Sequence, residues 1–220
     1  QGVVNDNSNK DFPGMVQVIF TVWQDKKSIC EWIPVLQSYA GDEYGCYLLP
    51  EVKDVVLVGF VGSGMTRPFV LGSLFRANGK IQKDSFIDKN TNKQLVTKGG
   101  IKLLLSDEKD KEAVTVKTPK ELTFTLADEK ELMTLTDKKG ENLITIDSKK
   151  GTITMTAKQK IVLKAGKCEI TMDGQSGAVN IKGDMIEIKA TQSAAMKANQ
   201  SVEINGSAQA VVKGGMVQIN

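Results

Sequence analysis

Histidine is missing from this 220-residue sequence. Without an imidazole there is no Ser-His-Asp triad, no histidine general base and no zinc site with a histidine ligand. Cysteine is scarce as well, because Cys30, Cys46 and Cys168 have no metal-site spacing and an odd number is a poor disulfide framework. These absences exclude the commonest catalytic and metal-binding designs, and we expect no cofactor and no metal.

Aromatic residues and prolines are few and unevenly placed. Eleven of the twelve aromatic residues lie at or before Phe86, and four of the five prolines lie at or before Pro68. A chain that stops using both after its first third has changed architecture, so we predict two domains of different kinds. The predicted organisation is an N-terminal connection over 1–11, a first domain over 12–78, a linker over 79–99 and a second domain over 100–220.

Long apolar runs and strong charge are also absent. No apolar run approaches the roughly 20 residues that span a bilayer, and the N-terminus lacks the basic start and apolar core of a Sec signal. The 29 basic and 26 acidic side chains give a net charge of +3, well short of the dense basic clusters typical of nucleic-acid binding. We expect no membrane anchor, no Sec signal and no nucleic-acid partner.

The first domain contains short β-rich runs broken by turn residues, and no stretch with a helical period. The five predicted strands cover residues 15–20, 31–36, 45–49, 54–60 and 68–74. Five short strands in so small a domain are typical of a closed or partly closed barrel. The Gly62-Ser63-Gly64 loop is interpreted as a hairpin turn, because the Walker pattern of a phosphate loop is absent.

An internal repeat organises the second domain from residue 144 onward. Pairs of apolar or small residues separated by one position recur at intervals of 9, 8, 9, 9, 7, 8, 8, 8 and 7 residues. Alternation with a period of two predicts that each pair belongs to a very short strand with one face inward. The ten pairs are Ile144/Ile146, Ile153/Met155, Ile161/Leu163, Ile170/Met172, Val179/Ile181, Ile186/Ile188, Ala194/Met196, Val202/Ile204, Ala210/Val212 and Val217/Ile219.

A step of about eight residues is too short for one chain to close the three sides of a parallel β-helix. Three intertwined chains solve this if each strand forms one side of a triangular prism, the inward pairs meet on the axis and neighbouring chains supply the backbone partners. The sequence thus predicts an all-β homotrimer, with a barrel followed by an intertwined β-helical prism. Its predicted core consists of the paired residues from Ile144 to Val212, except Ala194 and Ala210.

Three segments of the first domain carry a family resemblance. Residues 32–45 read Trp-Ile-Pro-Val-Leu-Gln-Ser-Tyr-Ala-Gly-Asp-Glu-Tyr-Gly, residues 50–58 read Pro-Glu-Val-Lys-Asp-Val-Val-Leu-Val, and residues 67–74 read Arg-Pro-Phe-Val-Leu-Gly-Ser-Leu. With these motifs the barrel resembles the OB-fold of VgrG spike proteins and related phage baseplate spikes. The repeat architecture extends the resemblance over residues 100–220.

The resemblance implies a spike that caps the inner tube of a contractile injection system, either type VI secretion or a phage-like particle, and pierces the target envelope. It implies a non-enzymatic chain that assembles in the bacterial cytoplasm and is delivered outside the cell or forms a particle tip. The implied partners are the tube and hub proteins, the target membrane in passing, and a PAAR-type tip protein. The residues expected to bind that tip are Met216, Val217, Ile219 and Asn220.

The sequence departs from the family pattern in places. VgrG proteins usually carry a large hub domain upstream, which is not visible here, and we expect no lysozyme-like insert or C-terminal effector domain. Some phage spikes end in a His-x-His iron site, which a chain without histidine does not have. The expected apex is therefore blunt.

Two functions of other classes stay open. An OB-fold binds single-stranded nucleic acid when aromatic residues such as Trp23, Tyr39 and Tyr47 stack bases, although a basic aromatic groove is not evident here. A trimeric fibre or tailspike that cleaves surface glycan needs two suitably spaced carboxylates in a groove. The repeats instead scatter their acidic residues, among them Asp173, Asp184, Glu187 and Glu203.

Overall fold

The computed structural model describes residues 1–20, 28–62, 64, 66–77, 79–87 and 89–218, with the backbone alone for residues 28–30. The described chain is all-β apart from one short helix. Its elements are β1 (Gly2–Asp6), β2 (Met15–Phe20), β3 (Ser28–Pro34), β4 (Val55–Phe60), β5 (Pro68–Leu74), α1 (Lys80–Ser85), β6 (Asn92–Val96), β7 (Lys102–Ser106), β8 (Ala113–Lys117), β9 (Thr123–Ala127), β10 (Leu132–Thr136), β11 (Leu143–Asp147), β12 (Thr152–Thr156), β13 (Lys160–Ala165), β14 (Cys168–Asp173) and β15 (Ala178–Lys182).

The first five strands form a curled antiparallel sheet in the order β3-β2-β1-β4-β5. Register shifts in the β1–β2, β2–β3 and β4–β5 pairs bend the strands, as bulges do. The curl brings the end of β3 back to β5, where Val35 pairs with Val70 in parallel and the Leu36 N–H donates to the Val70 carbonyl at 2.8 Å. The sheet is therefore an OB-like barrel of five strands.

Small branched side chains fill this barrel. Alternation along β2 turns Val16 and Val18 inward, and both are completely buried. The remaining buried apolar side chains come from the other strands and are Val4, Ile33, Val56 and Val70. All the buried apolar residues that the structure describes lie in the barrel, so this part of the chain makes its own core.

The strand composition of the barrel differs from the prediction at two places. The segment 2–6, predicted as a connection, is the central strand β1, which was missed because it offers only Val3 and Val4 as apolar residues. The segment 45–49 is not a strand but the return limb of a loop. Its Cys46 N–H donates to the Tyr39 carbonyl at 2.7 Å, so the loop bonds to itself rather than to the sheet.

The second domain begins as an antiparallel meander of seven strands, β6 to β12, followed by a sheet of three, β13 to β15. Within each sheet, each strand pairs with the next along the chain. For residues 143–182 this differs from the prediction that neighbouring chains supply the backbone partners. Turns of four to six residues between β6 and β12 let consecutive strands fold back as hairpins. In these two sheets the backbone is paired within the chain, and it is a side-chain face that lacks a partner.

The segment 79–99, predicted as a linker, contains α1 and β6. β6 is the edge strand of the meander, with Val96 opposite Lys102 and Asn92 opposite Ser106. An ion pair of 2.9 Å between Lys98 and Glu51 joins the turn after β6 to a loop of the barrel. The sheet therefore starts about eight residues earlier than the sequence predicts.

Residues 183–218 contain no strand. Their backbone bends at 184, 191–192, 199–200, 207–208 and 215–216, which repeats the eight-residue step read from the sequence. Between these bends the segments are neither helical nor paired in a ladder. The last third of the second domain thus turns regularly but belongs to no strand ladder.

Candidate functional site

The seven-stranded sheet has one apolar face, built by two rows of side chains in register. Because cross-strand neighbours on one face pack together, each row is a continuous ladder. One row runs through Leu95, Leu103, Val116, Phe124, Leu135, Ile144 and Met155, and the other through Leu105, Val114, Leu126, Met133, Ile146 and Ile153. We call this surface the apolar face.

The structure places the predicted core residues from 144 to 181 on such ladders. Ile144 lies opposite Met155, and Ile146 opposite Ile153. The three-stranded sheet continues the arrangement with the rows Ile161-Met172-Val179 and Leu163-Ile170-Ile181. The pairs found from the sequence are thus neighbours in space as well as in the repeat.

The structure extends the face to residues that the repeat from 144 onward does not include. They are the pairs Leu103/Leu105, Val114/Val116, Phe124/Leu126 and Met133/Leu135, which begin 11, 10 and 9 residues apart. The same period of two marks them in the sequence. Two of the three steps exceed those of the repeat because the turns 107–112 and 118–122 have six and five residues, so the eight-residue spacing does not extend to these pairs.

The apolar face is uncovered in the single chain. On the apolar face, Ile153 is 69% exposed and Leu135 is 55% exposed. On the opposite face, Thr115, Thr125 and Thr134 are half-buried. Those threonines belong to a polar ladder that continues through Thr145 and Thr154. The apolar side of the sheet is therefore more exposed to water than the threonine side. An exposed apolar surface of this kind needs to be covered by other apolar groups.

The accessible surface area of the whole chain also shows how much surface is left uncovered. The chain exposes 18390 Å², whereas a compact monomer of 23.9 kDa exposes about 9,900 Å². The excess is roughly 8,500 Å², far more than scattered surface residues account for. The single chain therefore leaves much more surface in water than a compact monomer of its mass does.

The predicted core residues beyond 183 belong to no ladder. Ile188 is 80% exposed, Met196 71% and Val212 74%. Ile186, Val202 and Ile204 are exposed in the same way. The structure does not bring these six residues together with the apolar face, because their segments have no strand partner within the chain.

The tip residues expected from the resemblance are only partly described. Met216 is 87% exposed and Val217 51% exposed. Ile219 and Asn220 lie outside the described residues.

Three of the four acidic residues named for the repeats, Asp173, Asp184 and Glu187, form ion pairs with lysines. The Asp173 carboxylate accepts Lys160 Nζ at 2.6 Å and the backbone N–H groups of Gln175 and Ser176, and these bonds lower its pKa to about 2. Asp184 pairs with Lys167, and Glu187 with Lys189. A glycosidase acid needs a carboxyl with a raised pKa, so Asp173 is unsuited to that role.

Metal binding finds no support in the described part of the chain, which has no group of three or more His, Cys, Asp or Glu able to hold an ion. The acidic turn 107–112 is offset by lysines, since Asp107 pairs with Lys93 and Glu108 with Lys111. No helix among the described residues is long and apolar enough to cross a bilayer.

Among the described residues, Tyr39 and Tyr47 do not line a basic groove for stacking bases. Tyr39 packs against Tyr44 with ring centroids 5.2 Å apart, on a loop whose charges are Asp42 and Glu43. Tyr47 is exposed further along the same loop, and Trp23 lies outside the described residues. Acidic neighbours repel a nucleic-acid backbone, so this surface does not favour the single-stranded nucleic-acid hypothesis.

Comparison with known families identifies the first domain. Residues 1–75 match the family model of the type VI secretion system/phage-baseplate injector OB domain. The match covers β1 to β5, including the strand β1 that the sequence analysis left outside the barrel. The comparison with curated proteins gave no match. The barrel is therefore of the injector OB type, which points to a structural role related to baseplate spikes.

Proposed function

We propose that this chain is the spike of a contractile injection system and that it works as a homotrimer without catalysis. In this trimer the apolar faces of three copies meet on a common axis, and the chain from Asn92 to Lys182 supplies one side of a prism per copy. The segments after 183, which belong to no strand ladder in the single chain, wind around one another and supply each other's strand partners.

The observation that supports this proposal is the accessible surface, nearly twice that of a compact monomer of the same mass. A monomeric enzyme or binding module leaves no comparable apolar surface in water. Three copies remove it by closing on themselves, and the match of residues 1–75 to the injector OB domain supports a spike as the assembly in which this trimer works.

Force transmission is the activity we assign. The OB barrels cap the inner tube, and the prism transmits the push of the contracting sheath to the target envelope. A needle of short paired strands has few loose loops to buckle, so passage relies on stiffness. A PAAR-type tip protein binds the exposed end around Met216 and Val217, and the chain is carried as part of a secreted or particle-bound assembly.

The oligomeric state is the first test. Light scattering of the purified chain is expected to give the mass of three chains, and a mass of one chain in dilute native buffer overturns the proposal. Ile146→Asp places a carboxylate in the proposed core and is expected to abolish the trimer, because an unpaired buried charge is costly. Thr145→Asp is the matched control, since it adds the same charge to the opposite face of the same strand.

The puncturing role needs a functional readout. Injection particles that carry Ile146→Asp are expected to lose delivery to target cells, while particles with Thr145→Asp keep it. Delivery by particles whose spike does not form a trimer would overturn the mechanical role.

A further inference from the structure

The hairpin turns of the seven-stranded sheet form two rows, because a meander turns alternately at either end of its strands. We call residues 97–102, 117–122 and 137–142 the basic edge, and residues 107–112, 128–131 and 147–151 the acidic edge. The basic edge carries six lysines and three acidic residues, a net charge of +3. The acidic edge carries eight acidic residues and five lysines, a net charge of −3.

Several of these charges form no ion pair within the part of the chain that the structure describes. On the acidic edge they include Asp110, Asp128 and Glu131, and on the basic edge Lys120 and Lys139. All five residues are exposed. They are therefore available to a surface outside the chain.

We propose that the two edges pair between copies, so that the acidic edge of each chain lies against the basic edge of the next around the three-fold axis. This inference rests on the proposed trimer and states what directs its closure. A ring of identical subunits joined head to tail brings two different surfaces together at each contact. Opposite charge on those surfaces favours that contact and disfavours like edges meeting.

The stagger of the turns sets which residues meet. Turns of the basic edge follow β6, β8 and β10, and turns of the acidic edge follow β7, β9 and β11. With strands about 4.8 Å apart, the acidic turn 128–131 lies level with the gap between the basic turns 117–122 and 137–142. Asp128 and Glu131 of one copy therefore face Lys120 and Lys139 of the next.

Charge reversal in the full-length chain tests this pairing. One variant carries Asp128→Lys with Glu131→Lys, a second carries Lys120→Glu with Lys139→Glu, and a third combines all four changes. Asp11→Lys with Asp84→Lys is the control, because it changes the net charge as the first variant does at exposed sites away from both edges. The readout is the trimer fraction after refolding, by native mass spectrometry.

Each edge reversal is expected to weaken trimer formation about tenfold or more at low salt, because three contacts lose their favourable pairs at once. The combined variant is expected to recover to within about threefold of the wild type, and the control to match it. In about 1 M salt the differences are expected to shrink, since charges are screened beyond about 3 Å.

The outcomes separate this inference from the proposed function. A wild-type chain of one or two copies overturns both. A wild-type trimer that ignores either reversal, or a combined variant that assembles no better than the single-edge variants, overturns the edge pairing alone.

Discussion

The barrel and the needle, as we call residues 92–218, use the same alternation of apolar and polar residues but end in opposite states. In the barrel, Val16, Val18 and Val56 have no exposed surface. In the needle, the one described residue classed as buried is Thr171, a polar side chain. The barrel sheet curls until β3 meets β5, whereas the needle sheets stay open. Closure within the chain decides whether an apolar face becomes a core or an interface.

The largest difference between the two parts is expected in how their unfolding transitions respond to dilution. The needle transition is expected to move to lower denaturant as the chain is diluted, and the barrel transition to stay fixed, because only assembly depends on concentration. Both tryptophans lie in the first 33 residues, so their fluorescence reports the barrel, while far-UV circular dichroism reports both parts. A needle transition that does not shift on dilution contradicts a core shared between chains.

A cavity in the barrel should leave the needle untouched. Val56→Ala removes two buried methyl groups and is expected to lower the free energy of unfolding of the barrel by about 2 kcal/mol. Tryptophan fluorescence during urea denaturation measures that loss. Val179→Ala, at a position 67% exposed in the single chain, is the counterpart, expected to act on the trimer and not on the fluorescence transition. If both variants shift the fluorescence transition equally, the distinction between a barrel core and a shared needle core is wrong.

A smaller effect is expected from Asp173, which caps a turn of the needle. Because its pKa is lowered from 3.8 to about 2, its contribution to stability is present above about pH 4 and is lost as the pH falls towards 2. Asp173→Asn should therefore destabilise the needle at pH 7 and match the wild type near pH 2. Thermal melts followed by circular dichroism measure this. If the melting temperatures of the two proteins differ by the same amount at pH 7 and near pH 2, the carboxylate does not act through its charge.

Much of the fold follows from residue patterns. β2 and β5 have the predicted bounds. The pairs from Ile144 to Met155 lie in register in the seven-stranded sheet, and those from Ile161 to Ile181 lie in register in the three-stranded sheet. The sequence does not predict β1, because two valines after the N-terminus do not distinguish a strand from a connection. The false strand at 45–49 looked apolar enough to pair, but backbone bonds between Tyr39, Cys46 and their neighbours close it into a loop.

The sequence predicts which residue types form the apolar face, but it does not predict how many strands the face covers. An alternation with a period of two identifies Ile144 or Ile153 as facing one way, whatever the length of the turns. It does not say that Phe124 and Leu135 lie on the same ladder, since cross-strand register depends on how each turn folds. Nor does spacing alone tell whether a strand finds its backbone partner in its own chain or in another.

The sequence by itself determined the change of architecture after the first third, the β-period throughout and the eight-residue step, because these depend on which residues neighbour one another along the chain. Only the tertiary structure decided which faces are covered. It closed the barrel around Val18 and Val56, left the ladder through Leu135 and Ile153 in water, and sorted the turns into a basic and an acidic edge. These properties depend on strand pairing and curvature, which are set by contacts between residues far apart in sequence.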